Sequence, residues 1–193
     1  MEHPHRIYLA GPEVFFPKEE HQTIVAEKKR LLQAQGFVGV DPLDADLVFD
    51  KQETKQAHAL RIYRANRDLM DSCSAIIANL TPFRGISADP GTVFEVGYMI
   101  GHGKPAFGFT MDKRPYLHRA GAATQGITGH TIEDFELSDN LMIECGMAES
   151  GGGLYVANTE GDHSHFSSEL FRTCVKALTV KSLSGGTYSH PHN

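Results

Sequence analysis

Two carboxylates near the middle of the chain, Asp89 and Glu95, are spaced so that both fall at the start of one predicted helix. That helix, predicted over 91–102, follows an almost wholly apolar run at 75–80, which is typical of a central parallel strand buried on both faces. Two carboxylates beside one pocket can support glycosidic chemistry, because one attacks the anomeric carbon while the other manages the leaving group or its proton. Asp89 and Glu95 are therefore candidate catalytic residues.

The same two residues also suit a structural role. Asp89 before Pro90 predicts an N-cap with proline at the first helical position. Thr92 and Glu95 fit the spacing of a capping box, and both carboxylates complement the positive end of the helix dipole. The two roles are compatible, since a helix N-terminus also keeps a carboxylate ionised, as a nucleophile requires.

The elements that must position these residues follow from hydrophobic spacing and glycine breaks. Strands are predicted at 6–10, 37–40, 75–80 and 105–110, and helices at 18–35, 54–74, 91–102, 139–149 and 167–182. Their alternation predicts a doubly wound α/β sheet. Because ligands in such folds bind beyond the carboxyl ends of the strands, the segments 11–16, 41–46 and 81–95 are expected at one pocket.

The second half of the chain is less strongly patterned. The glycine-rich stretch 111–131 suits a lid, an insertion or a subunit contact, and the run Ser-Gly-Gly-Gly at 150–153 predicts a flexible break. One domain is expected over 1–182, followed by a polar, mobile tail at 183–193.

Composition narrows the class of protein. The 193 residues include 18 Lys and Arg against 24 Asp and Glu, a net charge of −6, which argues against a nonspecific nucleic-acid binder. No apolar run approaches the roughly 20 residues that span a bilayer, and no secretory signal follows the first residues, so a cytoplasmic protein without membrane contact is expected. The 3 cysteines are widely spaced, so they predict neither a disulfide framework nor a zinc site.

Other polar and aromatic residues near the expected pocket leave alternatives open. Asp41, Asp44 and Asp46 suit either a hard cation or, with Pro42 among them, an ordinary turn. Arg84 with its following glycine suits either an anion or solvent. Phe15 and Phe16 suit either a stacked base or the core, and Tyr8, on the first strand, suits either the core or the pocket.

Four segments of the sequence together resemble the nucleoside 2-deoxyribosyltransferase family. They are IYLAGP at 7–12, DPLD at 41–44, ANLTPFRG leading to DxGTxFExGY at 78–98, and SDNLM at 138–142. The third is the most specific, because a strand, a loop, the spacing of two acids and the glycines all match together. The resemblance covers roughly residues 6–149.

The resemblance implies a flavodoxin-like, five-stranded parallel sheet in a homo-oligomer. It implies transfer of 2-deoxyribose from a deoxynucleoside donor to a free nucleobase acceptor, without a metal or organic cofactor. Glu95 matches the family's nucleophile, Asp89 the acid that contacts the base and helps proton transfer, and Tyr8 a residue that steadies the nucleophile. Asn140 matches a residue that binds the sugar 5′-hydroxyl in a neighbouring subunit's site.

The resemblance also implies a set of substrate-binding positions: Gly11, Phe16, Asp46, Asp71, Arg84, Gly85, Asn140 and Met142. The chain departs from the family at Ser74, where many members carry an aspartate, and Asp71 one helical turn earlier is the candidate substitute. Asp46 stands where some relatives have a glutamine. Both departures predict an altered base preference.

Two other functions compete with transfer. One is hydrolysis of a nucleoside, a deoxynucleoside or a deoxynucleoside 5′-monophosphate to the free base, with water replacing the acceptor. The other is a non-catalytic nucleotide-binding module. The acid at Asp139, beside Asn140, favours an uncharged 5′-hydroxyl over a phosphate, and the pairing of Glu95 with Asp89 argues against a module that only binds.

Overall fold

The computed structural model describes residues 5–45, 47, 52–123, 131–158 and 165–183. The strands are β1 (Arg6–Ala10), β2 (Val38–Val40), β3 (Ala75–Asn79), β4 (Ala106–Thr110) and β5 (Gly153–Val156). The α-helices are α1 (Lys18–Gln33), α2 (Lys55–Asp71), α3 (Pro90–Gly101), α4 (Tyr116–Ala123), α5 (Leu141–Glu149) and α6 (Ser168–Leu183). Short 3-10 helices follow β1 at Pro12–Phe15 and β2 at Pro42–Asp44.

The five strands form one sheet in the order β2-β1-β3-β4-β5, and every neighbouring pair is parallel. This arrangement confirms the doubly wound, flavodoxin-like sheet that was predicted. The strand order reverses between β1 and β3, so their loops leave the sheet in opposite directions. The crevice at this point is where such folds bind ligands.

The strands bury both faces, and the residues of β1 show how the faces divide. Ile7 and Leu9 pack into a core completed by α1 and α6. Tyr8 and Ala10 point the other way, into a core completed by α3, α5 and the end of α2. The two-residue period of the strand therefore places Tyr8 on the same face as α3, which carries Glu95.

The structure differs from the sequence prediction at the edge of the sheet. The prediction of a flexible break at 150–153 is wrong, because this segment forms a tight turn that leads into β5. The Ser150 hydroxyl accepts a hydrogen bond from the Ala106 backbone N–H at 3.0 Å. A Cβ on Gly152 would lie 1.8 Å from the Ala106 carbonyl oxygen, so glycine is needed for the close approach of these two chain segments rather than for flexibility.

The weakly patterned stretch 111–131 contains α4, which the sequence prediction missed. Residues 124–130 lie outside the described residues, as does the predicted tail from 184 onward, so the domain boundary stays a prediction. Across the described ranges, no helix has the length and apolar character that crossing a membrane requires.

Candidate active site

A cavity of about 450 Å³ opens beyond the carboxyl ends of β1 and β2 and beside the start of α3. Its volume lies within the range of small-molecule sites. Four segments form its wall: the loop after β1, the loop after β2, one face of α2 and the first turns of α3. The lining residues are Gly11, Val14, Phe15, Pro42, Leu43, Ala45, Leu47, Ile62, Asn66, Asp89, Gly91, Thr92 and Glu95.

A short hydrogen bond joins Tyr8 to Glu95 at the base of this cavity. The Tyr8 hydroxyl donates to Glu95 Oε1 at 2.6 Å, across 87 residues of sequence. Tyr8 is fully buried, so its ring is fixed by the core and its hydroxyl holds the carboxylate in one orientation. Glu95 Oε2 has no hydrogen-bond partner among the described residues. The pair therefore presents one carboxylate oxygen to the cavity.

Burial sets the protonation of both groups. Burial raises the pKa of Glu95 to about 7, the hydrogen bond from Tyr8 opposes the rise, and the nearby carboxylates of Asp89 and Asp41 add to it. Burial also raises the pKa of Tyr8 far above its ordinary value, and the charge of Glu95 raises it further. Tyr8 therefore remains a hydrogen-bond donor at neutral pH, whereas Glu95 titrates there.

Asp89 is the N-cap of α3 and also lines the cavity, so the predicted cap is confirmed. Its Oδ2 accepts from the Thr92 backbone N–H at 3.1 Å and from the Thr92 hydroxyl at 3.4 Å. The predicted capping box between Thr92 and Glu95 is wrong, because Glu95 is bonded to Tyr8 instead. Asp89 Oδ1 has no hydrogen-bond partner in the described chain, which leaves it able to contact a ligand.

Gly11 lines the cavity, and no larger residue fits at this position. A Cβ at this position would lie 1.9 Å from Glu13 Oε2. Glu13 cannot easily move away, because its Oε1 accepts from Lys28 Nζ at 2.6 Å and from Asn79 Nδ2 at 2.8 Å. The buried ion pair thus forms a fixed floor under the first loop of the site.

Two carboxylates of the acidic loop after β2 stabilise a turn. Asp41 caps the 3-10 helix by accepting from the Leu43 N–H at 2.9 Å, and Asp44 Oδ2 accepts from the Asp41 N–H at 2.8 Å. Asp46 lies outside the described residues. Where the chain is described, no cluster of three or more His, Cys, Asp or Glu residues is arranged to hold a metal.

The aromatic candidates separate in the structure. Phe15 lines the cavity, whereas Phe16 lies outside its wall and packs against Phe83 and His165. The guanidinium of Arg84 lies 4.7 Å from the ring centroids of both Phe15 and Phe83. Arg84 is exposed and has a φ of +57°, and it and the following Gly85 are outside the cavity wall.

Asp71 and Ser74 lie at the amino ends of the strands, directly before β3. Asp71 Oδ1 accepts from the Tyr98 hydroxyl at 2.7 Å, and the Asp71 carbonyl accepts from Lys104, just before β4 begins. Ser74 is bonded to the Arg6 carbonyl at the start of β1. The structure therefore does not bring either residue to this cavity.

Asn140 and Met142 lie at the carboxyl edge of the sheet but outside the cavity wall of their own chain. Asn140 caps α5, because its Oδ1 accepts from the Met142 N–H at 3.0 Å, and its Nδ2 donates to Glu133 Oε1 at 2.6 Å. Met142 is 74% exposed.

The sequence predicts the segments 11–16 and 41–46 at the pocket, but it does not single out their apolar wall residues. Val14, Leu43 and Ala45 lie in or beside the two short 3-10 helices, and Leu47 follows the second one, where isolated apolar residues carry no periodic signal. Ile62 and Asn66 of α2 face the cavity one helical turn apart. That spacing was visible in the sequence, but it also fits an ordinary core face.

Comparison with known proteins shows which sequences and solved structures this chain resembles. The family model for nucleoside 2-deoxyribosyltransferase matches residues 7–142. A protein of Schizosaccharomyces pombe, C191.05c, is 31% identical over 202 residues, which cover 92% of each chain. The solved structure of a 2-desoxiribosyltransferase from Leishmania mexicana is 29% identical, covers 90% of this chain and 98% of its own, and has a TM-score of 0.64. A conserved protein from Enterococcus faecalis, 16% identical with a TM-score of 0.54, shares the fold over 90% of this chain and 98% of its own.

Proposed function

The chain belongs to the nucleoside 2-deoxyribosyltransferase family, and from its site we propose that it transfers a 2-deoxyribosyl group between nucleobases. The observation that carries the proposal is the hydrogen bond between Tyr8 and Glu95 at 2.6 Å, which holds one carboxylate oxygen toward a cavity that Asp89 also lines. A nucleophile held in one orientation and an acid beside it are the groups that double displacement at an anomeric carbon needs.

In the proposed mechanism, Glu95 Oε2 attacks C1′ of the donor while the bond from C1′ to the base breaks. The departing base takes the bonding electrons and receives a proton from Asp89 or through it, which stabilises the developing negative charge. The product is a deoxyribosyl ester of Glu95. A second base then attacks C1′ from the face that the first one left, returns its proton to Asp89 and releases the carboxylate, so the configuration is retained.

The shape of the cavity supports a nucleoside ligand. Apart from Asn66 of α2, its polar side chains lie at the start of α3, where the sugar must lie for Glu95 to reach C1′. The rest of the wall is apolar and includes the ring of Phe15, which stacks on Phe83 and is still 51% exposed, so that a base can contact it. One polar and one apolar end match the sugar and the base of a deoxynucleoside.

A chromatographic assay tests the proposal. Purified protein is mixed with 2′-deoxyinosine or thymidine as donor and adenine as acceptor, and all bases and nucleosides are followed. New 2′-deoxyadenosine with matching release of the donor base supports transfer. Free base without a new nucleoside contradicts transfer and indicates hydrolysis. No change with any donor, 5′-monophosphates included, contradicts both reactions and indicates a binding module.

We further propose that the sites are completed by a neighbouring subunit in a homo-oligomer. The exposed rings of Tyr63 and Phe94 and the partly buried ring of Tyr98 form an aromatic patch on α2 and α3, with centroids 6.3 Å apart in each neighbouring pair. Phe94 is 51% and Tyr63 45% exposed, which is unusual for aromatic residues on a surface without a partner. This patch adjoins Glu95 on α3 and is the candidate contact surface.

Mixing two inactive variants tests completion of the site in trans. Glu95→Gln and Asn140→Ala chains, each nearly inactive alone, are expected to regain activity when they are dissociated together and reassembled. A mixed oligomer contains some sites that combine an intact Glu95 with an intact Asn140 from another chain. Reassembly of each variant with itself is the control. Absence of recovery in well-formed mixed oligomers would contradict a role of Asn140 across subunits.

The pH dependence of the reaction should report Glu95. Because its raised pKa is about 7 and the nucleophile must be ionised, kcat/KM is expected to fall tenfold per pH unit below about pH 7. The hydrogen bond from Tyr8 lowers this pKa, so Tyr8→Phe is expected to move the acidic limb to higher pH. Stopped assays between pH 5 and 9 measure both profiles. An unchanged limb in Tyr8→Phe would contradict the assignment of the limb to Glu95.

A further inference from the structure

Arg119 and Asp139 form a buried ion pair close to Asp89, outside the cavity wall. Arg119, on α4, is 5% exposed and Asp139, just before α5, is 2% exposed. Arg119 Nη2 lies 3.9 Å from Asp139 Oδ2. Both residues come from the weakly patterned second half of the chain, and the reaction proposed above does not use them.

The guanidinium of Arg119 donates hydrogen bonds to three separate backbone segments. Its Nε donates to the Ile86 carbonyl at 2.7 Å, in the loop between β3 and α3. Its Nη1 donates to the Arg114 carbonyl and its Nη2 to the Ser138 carbonyl. Every nitrogen of the guanidinium is thus used on the backbone of a loop, which is the geometry of a residue that fixes loops relative to one another.

Asp139 completes the connection from the other side. Its Oδ2 accepts from the Ala88 backbone N–H at 2.9 Å, and its Oδ1 accepts from the Ser87 hydroxyl and from the Asn140 N–H, the latter at 2.8 Å. Ala88 immediately precedes Asp89. The Asp139 carboxylate therefore holds the residue directly before the proposed proton donor.

We propose that Arg119 and Asp139 are positioning residues that fix Asp89 for proton transfer to the departing base. The inference rests on the proposed function, because it assigns the purpose of the pair to the leaving-group step. The Thr92 bonds anchor one side of Asp89 to α3, and the Asp139 bonds anchor the loop that enters it. A carboxylate that must deliver a proton at hydrogen-bond distance needs both anchors, since a displacement of about 1 Å costs about 100-fold in rate.

The test compares donors whose bases differ in leaving ability. Asp139→Asn keeps the size of the side chain but leaves one acceptor oxygen in place of two, so it cannot accept from Ala88, Ser87 and Asn140 together, and it loses the charge that pairs with Arg119. We expect kcat/KM for 2′-deoxyadenosine to fall about 10- to 100-fold. For N7-methyl-2′-deoxyguanosine, whose base leaves neutral without a proton, we expect a fall of less than about threefold. The dependence of rate on leaving ability across all accepted donors should steepen accordingly.

A matched control separates positioning from a general loss of stability. Met147→Ala removes a fully buried side chain from α5, which follows Asp139, without touching the loop before Asp89. It should lower the unfolding midpoint and leave the dependence on leaving ability unchanged. Arg119→Lys, which keeps the charge but loses the forked donors, should show the Asp139→Asn pattern more weakly. Equal losses for all donors in the Asp139 and Arg119 variants would overturn the proposal.

A second variant and a second readout keep the outcome decisive. If Asp139→Asn does not fold, Ser87→Ala removes one bond to the same carboxylate and should steepen the dependence on leaving ability to a smaller degree. Amide hydrogen exchange at Ala88 tests the anchor without any substrate: the amide should be protected in the wild type and exchange at least tenfold faster in Ser87→Ala or Asp139→Asn. Unchanged exchange overturns the anchor, whereas an inactive wild type overturns the proposed function alone.

Discussion

Replacing Glu95 with glutamine is expected to lower kcat by about 10⁴- to 10⁶-fold, the range that follows removal of a covalent nucleophile. Glutamine keeps the shape of the side chain, and its amide oxygen still accepts the 2.6 Å hydrogen bond that Tyr8 donates to Glu95 Oε1. What the variant lacks is the negative charge that forms the ester with C1′. Single-turnover assays with a radiolabelled donor should find no labelled protein after acid quenching, whereas the wild type should be labelled.

The same substitution should make the protein more stable at alkaline pH. Glu95 has a pKa of about 7 when folded and an ordinary value of 4.5, so the folded state holds the proton more tightly than the unfolded state. Ionisation of this buried group therefore costs stability, with no cost below pH 4.5 and the full cost above about pH 7. Glutamine removes the cost. We expect a gain of about 1 to 3 kcal/mol in unfolding free energy at pH 8.5 and almost none at pH 4.5.

The two effects have opposite signs, which excludes misfolding as the cause of the lost activity. Glu149, an exposed residue at the end of α5, supplies the control. Glu149→Gln should leave both activity and unfolding free energy within about 0.5 kcal/mol of the wild type at either pH. Chemical denaturation at the two pH values measures the free energies. If Glu95→Gln were less stable than the wild type at pH 8.5, the raised pKa of Glu95 would be contradicted.

Strong local signals in the sequence predict where Asp89 and Glu95 lie in the fold. An apolar run fixes β3, and the cap at Asp89 with Pro90 fixes where α3 begins, so Glu95 must lie in its second turn at the edge of the sheet. These steps depend on neighbours in sequence and on the standard geometry of a parallel sheet. For Tyr8 the residue type fits either the core or the pocket, and only the family resemblance implies that it contacts Glu95; the structure places it on the face of α3, within hydrogen-bond distance of Glu95.

The periphery of the site depends on contacts that local patterns do not encode. Phe15 and Phe16 are adjacent and alike in chemistry, so only the 3-10 helix after β1 determines which of them lines the cavity. Asp71 ends α2 at the edge opposite the site, where it bonds Tyr98. The edge strand β5 was missed because the run of glycines at 151–153, which leads into it, also fits a flexible linker, and only the contact of Gly152 with Ala106 of β4 reveals the close packing.

The largest expected effect on stability comes from Lys28, which lies beneath the first loop of the site. Its ammonium group donates to Glu13 Oε1 at 2.6 Å, and both side chains are almost fully buried. It also lies 5.6 to 5.9 Å from the ring centroids of Phe109, Phe166 and Phe171. Lys28→Met leaves the Glu13 carboxylate buried without a cation, so we expect the unfolding free energy to fall by about 3 to 5 kcal/mol.

The next residue in the chain is the matched control. Lys29 Nζ also lies 2.6 Å from a carboxylate, Asp44 Oδ1, but this pair is on the surface, where water screens it. Lys29→Met should therefore cost less than about 1 kcal/mol. Lysine and methionine have similar helix propensities, so the change does not itself alter α1. The comparison holds the substituted residue type, the helix and the pair distance constant, while burial and the aromatic surroundings of Lys28 differ. Equal losses at the two positions, measured by urea denaturation, would contradict the prediction.

The double variant Lys28→Met with Glu13→Gln distinguishes an unpaired charge from a packing defect. Glutamine carries no charge to be compensated, and its amide oxygen can still accept from Asn79 Nδ2, which lies 2.8 Å from Glu13 Oε1 in the wild type. If the loss in Lys28→Met arises from the orphaned carboxylate, the double variant should regain more than half of it, because replacing a whole buried pair costs far less than breaking it. A loss that persists in the double variant would assign the effect to the aromatic packing around Lys28. Recovery would also restore a fixed side chain against Gly11, so the cavity wall should regain its shape together with the stability.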